Sequence, residues 1–419
     1  MTMAVQPPPV GARQAVRLNI CPNTVLGIMI FTSLLFVSHL GRNGVLVFLL
    51  AGLFMLVRRL DLARDEVANY WWLLLLPFWC TLSVVWSAHP DLSLRHGIQL
   101  IITFLIAVTL ASRLSPLVLL RVQFLALMSA GAASLLIGDV RDDGIWIGIF
   151  DSKNYYAFTM VALLLCAFAL LADRGQSAAW RLAGLTGVLM ALPQIIMAES
   201  IGAVIASVAV LGAALVMLRL HALPPERRPL RLVALGIVSV GGLVAVYLFS
   251  GPILTLVGEV TGKDPSLTGR TDLWAAALGE IARAPLLGTG YRAFWVEGNP
   301  LAEQIWAEFH IASKSGFNFH NLYLSNAVDI GLVGVALHLI MLIPAFVLCS
   351  RWLLHAGGAP ALFSFMAVSF VLVLALVEVP VFFEFNALSV MVLASLVYGL
   401  RASRETPLSG RTASLRRAV

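Results

Sequence analysis

The chain has 419 residues, of which 60% are hydrophobic and only 12% charged, with a formal net charge of +6 and a pI near 9.4. A soluble domain with a solvated outer face cannot enclose so much apolar surface. The basic balance does not mark nucleic-acid binding either, because the 28 Lys and Arg fall mostly in short connections between apolar runs. The four cysteines, Cys21, Cys80, Cys166 and Cys349, lie at or inside those runs without metal-ligand spacing, so neither a disulfide framework nor a metal site is expected.

The first twenty residues carry Pro7 to Pro9, Arg13 and Arg17 but no apolar core followed by a cleavage site, so the first span is expected to serve as the insertion signal. About 20 apolar residues cross a bilayer as a helix. Runs of that kind fall at 24–40, 43–57, 70–86, 97–112, 116–137, 154–172, 181–198, 201–218, 231–250, 321–349, 360–379 and 384–400. The fold class is therefore an all-α polytopic membrane protein of about twelve spans, a single membrane domain over 1–419. With both termini cytoplasmic, that side collects most of the Lys and Arg. The other side holds Arg42, Arg95, Arg141, Lys153, Lys263, Arg270, Arg283, Arg292 and Lys314. The Ser-, Thr- and Arg-rich tail over 402–419 reads as a mobile cytoplasmic end.

The connection over 251–319, between the ninth and tenth spans, is much longer than the rest, and loops of that length are usually functional or disordered. Leu273, Trp274, Ala277, Leu278 and Ile281 recur at helical spacing in 271–283, and 301–310 suits a second short helix. A lid of interfacial helices over the extracytoplasmic mouth follows. No internal repeat is visible, which counts against transporters built from duplicated halves.

Charges on the lid side are few, and each is a candidate. Arg270 opens the first lid helix after Ser266-Leu267-Thr268-Gly269; it either chelates a phosphate through paired N–H donors or is a plain surface arginine. His320, where the loop re-enters the membrane, is either a general base for a hydroxyl or an interfacial histidine at a helix start. Asn321 either orients it or caps the helix. His338 reads as a packed helix-interior histidine. Glu378 and Glu384 bracket the turn around Pro380, and acidic groups so near lipid are usually paired, either structurally or as a buttress for an active-site arginine or histidine. Arg95, Arg141 and Lys153 suit an anion site or contacts to membrane lipid phosphates. Gly288-Thr289-Gly290 lacks the strand and the remaining residues of a nucleotide fingerprint, so it reads as a sharp turn. The chain shows no P-loop and no zinc-binding run, and no cofactor is expected.

Taken together, Gly269-Arg270 with Trp274, Pro285-Leu286-Leu287-Gly288-Thr289-Gly290, and His320-Asn321-Leu322-Tyr323-Leu324 followed by Gly331 and Gly334 resemble the signature of the O-antigen ligase and polymerase superfamily. Trp86-Ser87-Ala88-His89-Pro90 and the stretch from Gly148 to Asn154 are similar to that family's earlier extracytoplasmic segments. The resemblance implies a metal-independent, inverting, GT-C-like glycosyltransferase of the bacterial inner membrane. Its donor would be a glycan on undecaprenyl diphosphate and its acceptor, in the ligases, a sugar hydroxyl of lipid A–core. It further implies that His320 is the general base and Arg270 the diphosphate ligand, with Asn321 and Tyr323 as substrate contacts. Where relatives often carry Ser-Arg, this chain has Glu199-Ser200-Ile201-Gly202, so Arg95, Arg141, Lys153 or Arg292 would supply the second diphosphate contact. A ligase is favoured over a chain polymerase or a protein O-oligosaccharyltransferase, because the loop is moderate and no domain to grip a protein acceptor is added. A flippase for lipid-linked glycans would spread charges through the bundle rather than gather them at one mouth.

Overall fold

The computed structural model describes residues 21–234, 269–314 and 316–405. The amino-terminal prolines with Arg13 and Arg17, nearly all of the expected span at 231–250, the loop stretch 251–268 and the tail from 406 onward lie outside the described residues.

Among the described residues, eight helices are long and apolar enough to cross a membrane: Leu60–Val85, Pro90–Arg113, Pro116–Ile137, Lys153–Ala172, Ala178–Met197, Ile201–His221, Leu322–Ala356 and Ala387–Glu405. Three shorter apolar helices, Pro22–Leu35, Arg42–Val57 and Gly358–Leu374, fall on the remaining expected spans. The chain is thus an all-α, multi-pass membrane protein. Helices dominate because each satisfies its own backbone polar groups in a medium without water.

Burial separates the inner helices from the rim. In Lys153–Ala172, Tyr156, Leu163, Cys166 and Leu170 are fully enclosed, and the Tyr156 hydroxyl donates to Gln194 Oε1 at 2.9 Å. In Ala178–Met197 and Ile201–His221, by contrast, Leu189, Ile196, Ile205 and Val208 are exposed, as lipid-facing side chains should be. Small residues permit close approach: a Cβ on Gly187 would stand 2.7 Å from the Phe124 ring.

Hydrogen bonds between helix ends sort the connections into two groups. At one end, Arg113 pairs with Glu66 (2.9 Å), Arg401 Nη1 donates to Ala111 O (2.8 Å), and the Ala359 N–H donates to Asp173 Oδ2 (2.9 Å). At the other, Trp86 donates to Leu287 O (3.0 Å), His96 meets Glu384 (2.9 Å) and Asn154 donates to Glu378 (3.1 Å).

The second group surrounds the described part of the long connection. Its two expected helices form as Arg270–Arg283 and Pro300–Glu308 and share a small apolar core of Leu273, Ala277, Phe294, Ile305, Trp306 and Phe319. A two-stranded hairpin, Asp139–Val140 with Trp146–Gly148, also lies at this end. Strands of two and three residues carry no readable alternation, so the sequence reading passes over it.

Gly288-Thr289-Gly290 turns out to be a docking strip. The Thr289 and Gly290 N–H groups donate to Val328 O and Asp329 O, and the Leu332 N–H donates to Pro285 O, each at 2.8 Å. The strip fits because the Leu322–Ala356 helix breaks at Gly331, where φ is 68° and a Cβ would collide with the Leu286 carbonyl. Gly331→Ala is therefore expected to destabilise the protein by about 1–3 kcal/mol through backbone strain alone. Chemical denaturation of the detergent-solubilised chain measures this, and an unchanged midpoint would contradict the close approach.

Candidate active site

Glu378 follows the Gly358–Leu374 helix, continuing its turn through an N–H bond to Leu374 O at 2.7 Å. The start of the Leu322–Ala356 helix is stitched to the same turn: the Leu322 N–H donates to Ala375 O (2.9 Å) and Asn321 Nδ2 to Leu376 O (3.0 Å). Asn321 Oδ1 also accepts the Tyr323 and Leu324 N–H groups at 3.0 Å each, so Asn321 caps the helix and ties it down. His320, one residue earlier, has a left-handed φ of 47°, held by its N–H bond to Asn318 Oδ1 at 2.7 Å. A strained histidine backbone pinned on both sides aims the imidazole at Glu378.

The Glu378 carboxylate, whose side chain is 9% exposed, joins two candidates found far apart in the sequence. Its Oε2 accepts from His320 Nδ1 at 2.9 Å, and its Oε1 accepts from Arg270 Nη2 at 2.7 Å. Asn154 Nδ2 adds a bond to Oε1 at 3.1 Å, and Ser200 Oγ supports Asn154 through its Oδ1 at 3.0 Å. Arg270 reaches this point because Gly269 adopts φ 74° at the helix start, where a Cβ would sit 2.5 Å from the Phe309 ring. Trp274 anchors the same helix by donating to Phe319 O at 3.0 Å.

The chemistry of this arrangement follows from its donors and acceptors. With Nδ1–H given to a carboxylate, the neutral imidazole presents Nε2 as an acceptor, the state a general base needs. Arg270 gives its Nη2 to Glu378, and its planar, permanently charged guanidinium has the N–H geometry that suits a phosphate.

A second cluster stands on Glu384, in the turn before the last span. Its Oε1 meets His96 Nδ1 and Arg292 Nη2, each at 2.9 Å, and its Oε2 accepts from the Tyr291 hydroxyl at 3.1 Å. Arg95 Nη2 lies 3.0 Å from His96 Nε2, and the Arg292 N–H donates to Asp329 Oδ2 at 3.3 Å. Burial alone would raise the Glu384 carboxyl, but Arg292 and then His96 outweigh it and hold the group at about 2. A carboxylate lowered in the folded state contributes stability that is complete above its ordinary value of 4.5 and is lost as pH falls through about 2. Thermal unfolding between pH 4.5 and 2 is therefore expected to weaken more steeply in the wild type than in Glu384→Gln.

Of the other sequence candidates, Arg141 sits in the hairpin turn, half-exposed and paired with Asp143 at 2.9 Å. Lys153 opens its helix beside Asn154, and Tyr323 packs against the main core. His338 is 1% exposed, with Nδ1 on Gly334 O at 2.9 Å, which is the packed histidine expected. In the Glu199-Ser200-Ile201-Gly202 stretch after the middle span, which lacks an arginine, Ser200 steadies Asn154. Sequence reasoning missed His96, Tyr291, Asp329 and the bridging part of Asn154. Only the place of His96 beside Arg95 and the polar start of the 154–172 span offered a hint.

An imidazole, a carboxylate and a guanidinium are thus gathered at one mouth of a bundle of helices long and apolar enough to cross a membrane. A family model described as O-Antigen ligase matches residues 186–339, which hold Arg270 and His320. The chain is also 32% identical over 340 residues to the exopolysaccharide production protein ExoQ of Rhizobium meliloti (strain 1021), covering 77% of this chain and 76% of that relative. The chain belongs to the O-antigen ligase family, membrane glycosyltransferases of polysaccharide biosynthesis that act on lipid-linked glycans.

Proposed function

We propose that the protein transfers a glycan from undecaprenyl diphosphate to a sugar hydroxyl on the lid side of the inner membrane, with His320 as general base and Arg270 at the diphosphate. The observation that carries this reading is the single Glu378 carboxylate bonded to both groups. His320 Nε2 takes the proton of the acceptor hydroxyl as that oxygen bonds to the anomeric carbon, and the carbon–oxygen bond to the diphosphate breaks. Attack opposite the leaving group inverts the anomeric centre. Negative charge grows on the departing diphosphate, where Arg270 stabilises it, while Glu378 stabilises the imidazolium formed at His320. No step calls on a metal. The lid side is the periplasm in this proposal, because the opposite end carries the basic short connections.

The acceptor we favour is the end of a growing glycan, giving chain polymerisation, since the relative covering most of the chain is named for exopolysaccharide production. Transfer to lipid A–core, the sequence expectation, is the second reading, favoured by the description of the matching family. Reconstitution with purified lipid-linked repeat units, without nucleotide or added metal, separates them. Polymerisation produces a ladder of lipid-linked oligomers without lipid A–core, whereas ligation produces conjugates only when lipid A–core is present. Movement of the lipid across vesicles with no transfer in either arm would replace both readings with transport.

A further inference from the structure

Beside the His320–Glu378 pair lies a cavity of about 450 Å³, within the usual range for sites that hold a small molecule. It shares a wall with the proposed base. Phe317 lines the cavity and packs edge-on against the His320 ring with centroids 5.6 Å apart, and Asn318, which accepts the His320 N–H, lines it too. Val379, next to Glu378, closes the same side.

The lining has a mixed chemistry. Trp295, Phe317 and Phe383 supply apolar ring surface, while the carboxyl groups of Asp329 and Glu384 offset the cations Arg292 and Lys314. Arg292 is held by Glu384 at 2.9 Å and lies over the Phe383 ring at 5.6 Å, so its charge is already matched. A diphosphate entering here would meet two carboxyl groups as well as the cations. A sugar suits the place better: its hydroxyls both donate and accept, its C–H faces pack on aromatic rings, and it brings no charge needing compensation.

We propose that this cavity is the acceptor subsite, binding the polyhydroxylated end of a glycan so that one hydroxyl reaches His320 past Phe317. The inference rests on the transfer reading above and deepens it. Glu384 and Arg292 act there as a matched pair that accepts from and donates to the sugar, and Arg292 is not the replacement for the missing second diphosphate contact.

The test uses the purified full chain in detergent with two probes. One is the free repeat-unit oligosaccharide released from the lipid-linked pool by mild acid, and the other is undecaprenyl diphosphate. Phe383 lies outside both apolar cores, so Phe383→Ala removes cavity wall without opening the core. Phe383→Ala and Glu384→Gln are each expected to weaken oligosaccharide binding by about tenfold, the effect of losing one good contact to a charged or aromatic partner. Undecaprenyl diphosphate binding should stay unchanged, which also reports an intact fold, and Phe383→Tyr should restore the oligosaccharide affinity. Oligosaccharide binding that is absent in the wild type, or untouched in both variants, overturns the proposal. So does diphosphate binding that shifts with either substitution, because the cavity would then belong to the donor. If the wild type binds the oligosaccharide as described but transfers nothing on reconstitution, the transfer reading falls while the cavity stands as a glycan site.

Discussion

His320→Ala is expected to lower glycan transfer by about 10²–10⁴-fold, the usual contribution of a positioned general base, while undecaprenyl diphosphate binding stays within about twofold of the wild type. The imidazole is bound through Nδ1 to Glu378 and its ring is packed by Phe317, so truncation removes the proton acceptor while Arg270 keeps its place on the carboxylate. Single-turnover conversion of purified lipid-linked donor measures the loss directly. Transfer within about threefold of the wild type would end the assignment of His320 as base.

Glu378→Gln is expected to cost about as much, roughly 10²–10⁴-fold in kcat, for a different reason. The amide keeps the shape of the side chain but lacks the charge that steadies His320 as it takes a proton. Its NH₂ group also cannot accept from Nδ1–H, so the imidazole can settle in the wrong tautomer. Donor affinity should hold or rise, since Arg270 loses an internal anion that competes with the diphosphate for its guanidinium. The combination of low kcat with undiminished donor binding separates this role from simple misfolding, and detergent-exchange binding of undecaprenyl diphosphate reads it. A variant that lost donor binding in proportion to activity would show Glu378 to be structural.

The membrane architecture was legible because hydropathy is a property of neighbouring residues. The expected spans coincide with apolar helices wherever the chain is described, and the 3.6-residue spacing of Leu273, Trp274, Ala277 and Ile281 located the first helix of the long connection. Gly269-Arg270 and His320-Asn321 stood out for the same local reason, as polar motifs at element boundaries. The break at Gly331 was not legible. Glycine inside an apolar run usually means close packing, and only the approach of the Leu286 carbonyl shows why the helix must interrupt itself there. The 139–148 hairpin escaped because strands so short leave no period to find.

Sequence by itself determined that this chain spans a membrane many times, carries an ordered loop helix and holds a histidine and an arginine beside that loop. Tertiary structure alone decided that Glu378, 58 residues from the one and 108 from the other, bonds to both. It also decided that Glu384 pairs with Arg292. A hydropathy run needs only its neighbours in the chain, whereas a carboxylate chooses partners among whatever helix ends packing brings within about 3 Å.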